Sequence, residues 1–365
     1  MTHSLDTPLL ILSNSGGYGG APRSMEGIVM ELSRHYLVHI CAENIHHVTN
    51  LNKLANPRVH VHALQRGKGL RKMFANVLFL RKLVLQVKPG IILTNTNKAA
   101  MFLGILSRLG LAHVPKFVFV RDFQWKNQRL IWALIGKATL LVPSKAVTER
   151  EHFLPHWPVV EIPNFANHPA SIPVHPMDSK MVLCLAMVSR WKGINYLVDA
   201  FALAVQESPD LTLVVVGKII DKTHLLQIRN TIKKAGLEHK IRFEAYTNSV
   251  ESYYQQAMVV VNSSISEFGG PETFGRTLIE SWAHACPVVS FDSGGPHYII
   301  DHGINGFLVP EKDVRSMANH LIELEKNPSM RVQMGIAGYR KVQEEYSADR
   351  TRQAMLEALS HPSVG

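Results

Sequence analysis

Short apolar runs alternate along this chain with stretches whose apolar positions recur three and four residues apart. PLLILS, Pro8 to Ser13, reads as a buried strand running into a glycine loop, and Met25, Ile28, Val29 and Leu32 then mark one face of a helix. YLVHIC, RVHVHAL, GIILTN, KFVFV and TLLVPS repeat the strand signature, with helical stretches between most of them. That alternation predicts an α/β protein whose parallel, doubly wound sheet is covered on both faces. Pro155, Pro158, Pro163, Pro169, Pro173 and Pro176 then crowd the segment HFLPHWPVVEIPNFANHPASIPVHP. Neither a helix nor a central strand continues through proline at that density, so the segment is predicted to be a linker. Beyond it the alternation restarts with MVLCLAMV, a helix at INYLVDAFALAV, LTLVVVG, KIRFEAY, MVVVNSS, a helix after Glu272, PVVSF and GFLVP. The stretch from about Arg331 to Leu359 reads as helix. The boundaries implied are a Rossmann-like domain over residues 1–166, a second over 167–340, and a helical tail over 341–365 expected to pack back on the first.

At 365 residues the chain is about twice the common domain size, which fits two domains sharing a cleft. A content of 46% hydrophobic and 19% charged residues excludes a disordered or fibrous chain and leaves ample core for both. The net charge of +10 is unevenly placed: residues 1–166 hold 20 Lys and Arg against 8 Asp and Glu, and the rest hold 19 against 21. The first half is therefore the one expected to meet an anion, be it phosphate, an acidic membrane or nucleic acid. Nucleic acid is set aside, because no helix-turn-helix, zinc-finger or RNP pattern is present. Cys41, Cys184 and Cys286 lie far apart and form no CxxC pair, which points to buried, reduced thiols in a cytoplasmic protein. No basic n-region opens the chain and no apolar run is long enough for a spanning helix. The expected location is thus cytoplasmic, with peripheral attachment to a membrane surface left open.

Four elements carry candidate chemistry. In SNSGGYGGAPRS, Gly16, Gly17, Gly19 and Gly20 stand between a strand and a helix, where backbone N–H groups can face a phosphate; a tight strand–helix turn accounts for the glycines equally well. The loop matches neither GxGxxG nor a Walker A pattern. Arg190 and Lys192 in VSRWKG follow the first strand of the second domain, at the sheet end where ligands bind in this architecture, and two cations there suit a diphosphate. Two surface charges before a helix are the plainer alternative. In PETFGRTLIESW, Glu272 and Glu280 would sit roughly 80° apart on a helix, so Glu272 is placed in a loop and Glu280 in the helix, with the Phe274, Gly275, Arg276 and Thr277 backbone facing an anion. In FVFVRDFQW, Arg121 and Asp122 end a strand beside Phe123 and Trp125, which suits either a sugar or phosphate site or a structural ion pair. The 19 histidines include no HExxH, and neither Asp-x-Asp nor GxSxG occurs.

Taken in order, these motifs resemble those of the family-4 glycosyltransferases, and the resemblance covers nearly the whole chain. GGAPR at Gly19 to Arg23 resembles the family's GGAxR loop, and Ile162-Pro163-Asn164 its IPN motif, with Phe165 in place of glycine. Glu272 through Glu280 matches its E-x7-E motif, including the internal FG, and GGPHYIIDHGINGFLVPEKD resembles its GGxxE to NG segment, with His297 near the acidic position. The resemblance implies the GT-B fold, two Rossmann-like doubly wound parallel-sheet domains facing across a cleft. It implies a nucleotide-sugar donor, UDP- or GDP-linked, in the second domain and a saccharide acceptor mainly in the first. Arg190 and Lys192 would grip the diphosphate, Glu280 the ribose, Glu272 the transferred sugar, and Phe274 to Thr277 the distal phosphate. Gly19 and Gly20 would approach the donor from the other domain. Arg121 stands where many members carry histidine before Asp122. The implied reaction is transfer with retention at the anomeric carbon, without a metal or other cofactor.

RGKGLRKMFANVLFLRKLVLQVK, Arg66 to Lys88, mixes seven basic residues with Leu70, Met73, Phe74, Val77 and Leu78. It reads either as a basic amphipathic helix on anionic lipid or as a sheet-covering helix with a solvated basic edge. With the positive first half, it favours an anionic, lipid-diphosphate-linked acceptor and, by family resemblance, bacterial surface-polysaccharide assembly. A GT-B sugar-nucleotide epimerase and a catalytically silent nucleotide-sugar-binding subunit are the alternatives.

Overall fold

The computed structural model describes residues 7–15, 17–67, 69–123, 125–149 and 154–361; Gly16 of the glycine loop and Lys68 of the basic stretch lie outside these. The chain forms two compact units, Met1–Asn164 joined by Ala348–Gly365, and Phe165–Ser347.

In the first unit the strands are β1 (Pro8–Ser13), β2 (Leu37–Ala42), β3 (Val59–Ala63), β4 (Ile91–Thr94), β5 (Lys116–Phe119), β6 (Thr139–Val142) and β7 (Val159–Glu161). They form one seven-stranded sheet in the order β3-β2-β1-β4-β5-β6-β7. Every neighbouring pair is parallel. The helices between them are α1 (Gly20–Leu32), α2 (Ile45–Lys53), α3 (Leu70–Val87), α4 (Asn97–Arg108), α5 (Gln128–Ile135) and α6 (Lys145–Thr148). Strand β1 is wholly apolar through Leu12 and buried at Leu9, Leu10, Ile11 and Leu12, as a strand covered on both faces must be. Met25, Ile28, Val29 and Leu32 are buried along one face of α1, as their spacing predicts.

The second unit repeats the plan. Strands β8 (Met181–Leu185), β9 (Thr212–Val216), β10 (Ile241–Glu244), β11 (Val259–Asn262), β12 (Val288–Phe291) and β13 (Gly306–Val309) form a six-stranded sheet in the order β10-β9-β8-β11-β12-β13. Its helices are α7 (Ile194–Glu207), α8 (Lys222–Lys234), α9 (Glu251–Gln256), α10 (Arg276–Ala283), α11 (Gly295–Ile299), α12 (Val314–Lys326) and α13 (Pro328–Glu345). In both sheets the strand order turns back at the first strand of the unit. β1 lies between β2 and β4, and β8 between β9 and β11. The crevice at the carboxyl end of such a switch point is where an open α/β sheet offers a binding site, so the topology selects two places to look.

Two boundaries differ from the sequence expectation. The proline-rich segment is not linker throughout: Val159–Glu161 pairs with β6 as the sheet's last strand. An edge strand needs partners on one side alone, so prolines at its flanks are tolerated there. The C-terminal helical stretch is two helices. α13 stays in the second unit, and after a break at Tyr346 and Ser347 a further helix, α14 (Ala348–Ser360), belongs to the first. There Arg352 donates to Glu31 of α1 at 2.8 Å and the Thr351 hydroxyl to the Pro163 carbonyl at 3.0 Å.

All three cysteines are buried and free, and burial pushes the Cys184 and Cys286 thiols up to about 12. Among the described residues no helix is long and apolar enough to cross a membrane.

Close packing of α13 on α10 is what the second core depends on. Trp282 is fully buried, its indole N–H donating to the Asn305 carbonyl at 2.9 Å. A Cβ at Gly335 would stand 1.9 Å from the Ala285 carbonyl oxygen, so glycine is required by the approach of the two backbones. Gly335→Ala is expected to destabilise the protein by about 1–3 kcal/mol in urea denaturation, since overpacking against backbone has no flexible neighbour to absorb it. Gly17→Ala, whose added Cβ meets nothing within 4 Å, is expected to shift stability by less than about 0.5 kcal/mol.

Candidate active site

In the second unit the switch-point crevice is built by the loops after β8 and β11. After β8 the chain makes a single 3-10 turn, Arg190–Lys192, and leaves it through Gly193 at φ +59° into α7. A side chain at Gly193 would put Cβ 2.0 Å from the Ser263 carbonyl oxygen, so the left-handed glycine both ends the turn and lets it touch the loop after β11. The Ser263 hydroxyl donates to the Lys192 carbonyl at 2.8 Å, and the Ile265 N–H donates to the Trp191 carbonyl at 2.8 Å. These contacts aim Lys192 across the crevice, where its ammonium donates to Glu272 Oε1 while lying 3.9 Å from the centre of the Trp191 ring. The Ser264 hydroxyl donates to the same carboxylate oxygen at 3.0 Å. Both side chains are mostly enclosed, 14% exposed for Lys192 and 16% for Glu272, so their attraction is less screened than in a surface ion pair but has cost each most of its hydration.

Glu272 and Glu280 do not share a helical face. Glu272 lies in the loop before α10, whose backbone is pinned by the Gly295 N–H donating to the Glu272 carbonyl at 2.7 Å. Glu280 lies within α10, where Arg276 donates to Oε1 at 2.6 Å and the Tyr254 hydroxyl to Oε2 at 2.9 Å. The side chain of Arg276 is therefore committed to Glu280, and the buried ring of Phe274 packs edge-on against Tyr346 with centroids 5.6 Å apart. What Phe274, Gly275, Arg276 and Thr277 can turn toward an anion is their backbone at the start of α10, with Gly275 at φ +102°.

Arg190 is placed differently from Lys192. Its side chain is 48% exposed and meets Asp221 at 3.4 Å, the residue that caps α8 by accepting the His224 N–H. That N–H, and then Arg190, hold the Asp221 carboxyl below its ordinary range. The two cations expected to neutralise a diphosphate thus each carry a protein carboxylate, Asp221 and Glu272. An arriving anion would meet two ion pairs and not two bare charges. His297 is exposed and hydrogen-bonded to Asp292 at 2.8 Å.

The first unit's switch-point crevice gathers residues from three quoted motifs. Arg121 follows β5 and is buried, its guanidinium stacked 4.0 Å over the Phe119 ring. Its Nε donates to Asn95 Oδ1 at 2.7 Å and an Nη to Asn164 Oδ1 at 3.0 Å. Asn164 of the Ile162-Pro163-Asn164 motif also accepts the hydroxyl of Ser24, in the first turns of α1, at 2.5 Å. Asp122 has an exposed surface but is closely surrounded, and that desolvation raises its carboxyl while Arg121 pulls it down. Gly19 precedes α1 in extended conformation at φ −152°, Gly20 begins it, and a Cβ on either would meet nothing within 4 Å. Neither glycine is demanded by local packing, so the loop leaves its backbone open to an approaching group.

Sequence patterns did not reveal Ser264, Asp221, Asn95 or Asn164 as partners. Each stands just beyond an apolar run, and the signal that could have found them is the strand order. Among the described residues no three or more His, Cys, Asp or Glu side chains cluster to hold a metal ion.

Residues 170–341 match the family described as Glycosyl transferases group 1. An uncharacterised glycosyltransferase of Haemophilus influenzae is 25% identical over 304 residues, which is 80% of this chain and 83% of that protein. A lipopolysaccharide core biosynthesis glycosyltransferase, LpsE, of Rhizobium meliloti is 24% identical over 185 residues, 51% of each chain. Among solved structures, that of Anabaena Alr3699/HepE in complex with UDP and glucose superposes with a TM-score of 0.80 at 22% identity, over 97% of this chain and 99% of that one. The chain has the GT-B fold, and its second unit carries the match to the group 1 glycosyl transferases.

Lys192→Met is expected to destabilise the second unit by about 1–3 kcal/mol in urea denaturation, because Glu272 would be left enclosed without its counter-ion. Pairing it with Glu272→Leu is expected to recover most of that loss, as removing both charges together removes the desolvation cost.

Proposed function

We propose that the protein is a retaining glycosyltransferase of the family-4 kind, moving a sugar from a UDP- or GDP-linked donor to a saccharide acceptor in bacterial surface-polysaccharide assembly. The observation that carries this reading is the Lys192–Glu272–Ser264 cluster at the switch point of the second sheet, inside the stretch that matches the group 1 glycosyl transferases. An ionised carboxylate accepts hydrogen bonds from sugar hydroxyls, and the adjoining ammonium offers a charge to a phosphate oxygen. The relative named for lipopolysaccharide core biosynthesis supports the process, and the neighbour with UDP and glucose supports the donor class.

In this reading Glu272 orients the transferred sugar, Glu280 the ribose, and Lys192 with Arg190 the diphosphate. The bond from the anomeric carbon to the diphosphate oxygen breaks, the acceptor oxygen bonds to the same face, and the acceptor proton passes to the departing diphosphate. Growing negative charge on that leaving group is met by Lys192, Arg190 and the start of α10, so no metal ion is assigned to the step. Arg121 and Asp122 lie in the first unit, which would supply the acceptor side.

The acceptor is proposed to be lipid-diphosphate-linked and reached at an anionic membrane face. α3 buries Asn76, Leu80, Leu83 and Val84 but turns Leu70, 78% exposed, and Phe74, 64% exposed, outward beside Arg71 and Lys72. The covering helix therefore also has an unpartnered apolar edge among cations, which is the charge pattern that suits anionic lipid.

Turnover is tested by incubating the protein with nucleotide sugars and lipid-linked saccharides, with and without EDTA. Product with the donor's anomeric configuration is expected in both, with kcat lowered about 100-fold or more in Glu272→Ala. Inverted product would defeat retention, loss of activity in EDTA would defeat metal independence, an isomerised donor would show an epimerase, and binding without turnover a silent subunit. Co-sedimentation with phosphatidylglycerol but not phosphatidylcholine vesicles is expected, reduced about 10-fold or more in Leu70→Ser/Phe74→Ser. Equal recovery with both lipids would remove the membrane face.

A further inference from the structure

Asn95, which holds Arg121 from one side, is itself held by a row of buried polar groups. Its Nδ2 donates to Ser13 Oγ and to the Ala21 carbonyl, each at 3.1 Å. Ser13 Oγ lies 2.9 Å from His47 Nε2, and His47 Nδ1 lies 2.7 Å from Glu26 Oε1. Glu26 Oε2 in turn accepts the Tyr18 hydroxyl at 3.0 Å. Burial, and then Glu26, push that phenol up to about 12, so Tyr18 stays a donor. Tyr18 belongs to the glycine loop, so the row runs unbroken from that loop to Arg121 through residues from β1, α1, α2 and the loop after β4.

Proton accounting fixes the orientation of the Asn95 amide. Arg121 Nε can only donate and the Ala21 carbonyl can only accept, so Asn95 must present Oδ1 to the first and Nδ2 to the second. Ser13 Oγ then accepts a hydrogen bond from Asn95 and shares another with His47 Nε2. The other ring nitrogen of His47, Nδ1, faces the Glu26 carboxylate. Ser13, His47 and Asn95 are each fully buried, and an unmet donor or acceptor there would cost about 1–3 kcal/mol, so each member enforces the next.

Acid, imidazole and hydroxyl in a row also describe a hydrolase triad. Ser13 Oγ is enclosed between Asn95 and His47, which leaves no open side for an attacked carbonyl. The row orients; it does not attack.

We propose that Glu26, His47, Ser13 and Asn95 form a positioning relay that fixes the plane of the Arg121 guanidinium for the transfer reaction. This rests on the reading that Arg121 serves the reacting groups. Its consequence is that a change at Glu26, under the glycine loop, is felt at Arg121 through hydrogen bonds alone. Disorder of an aligned group by about 1 Å is worth up to about 100-fold in rate.

The test is a double-mutant cycle in steady-state transfer kinetics, using Ser13→Ala, Arg121→Met and their combination. Ser13→Ala removes one hydroxyl at almost constant volume and is expected to lower kcat about 10- to 100-fold, with the donor KM changed less than about threefold. Ser13→Thr, which keeps the hydroxyl, is expected to restore most of it. In the Arg121→Met background Ser13→Ala is expected to cost less than about twofold, since there is no guanidinium left to position. Glu26→Gln, at the half-buried end of the row, is expected to act in the same direction and serves if Ser13→Ala does not fold. Wild-type kcat in Ser13→Ala and Glu26→Gln, or an undiminished loss in the Arg121→Met background, would overturn the relay. Wild-type kcat in Arg121→Met itself would overturn the role of Arg121, and the relay with it, while leaving the Glu272 result standing.

Discussion

Lys192 and Glu272 stand eighty positions apart and meet because β8 and β11 are neighbours at the turning point of the second sheet. Most of what surrounds them serves that meeting. Gly193 has no side chain because the Ser263 carbonyl occupies the space, and Gly270 has none because the Ile265 carbonyl does. Those close approaches bring two loops within hydrogen-bonding reach, and Ser264 completes the carboxylate's shell. An enclosed ion pair contributes little net stability by itself, since desolvation offsets the attraction. Retaining one at a strand-end crevice makes physical sense if a ligand repays that desolvation with its own phosphate and hydroxyls.

The first unit solves a harder electrostatic problem. A buried guanidinium must be hydrogen-bonded, and Arg121 obtains this from two side-chain amides, Asn95 and Asn164, and a ring below it. Those amides belong to the loop after β4 and to the Ile162-Pro163-Asn164 segment after β7, and Ser24 of α1 ties the second of them to the glycine-loop side. Three motifs that look independent along the chain are therefore one hydrogen-bonded assembly.

Apolar periodicity was sufficient to read the fold. The strands from PLLILS to GFLVP fall within three residues of their predicted positions, because buried parallel strands are runs of Leu, Ile and Val bounded by turns. Val159–Glu161 escaped because an edge strand need not be apolar on both faces and its proline neighbours argued for a linker. The candidate residues can be picked out along the chain, but their partners cannot. Glu272 in a loop and Glu280 in a helix follow from Pro271 and the glycine beside them. That Glu280 is engaged by Arg276 and Tyr254, that Arg190 faces Asp221, and that Ser13 lies against His47 depend on which strands adjoin, which local pattern does not carry. The matched motifs identified the neighbourhood, and the sheet order supplied the contacts.

The central claim is that the Lys192–Glu272 cluster receives a nucleotide sugar. Calorimetric titration of UDP- and GDP-linked sugars into the intact protein and its Lys192→Met and Glu272→Gln variants tests it most directly. One nucleotide series should bind; Lys192→Met should weaken both the free nucleotide diphosphate and its sugar conjugate, and Glu272→Gln the conjugate more than the diphosphate. Equal affinity of both variants and the parent for the sugar conjugate, or no binding of any nucleotide sugar by the parent, would contradict it.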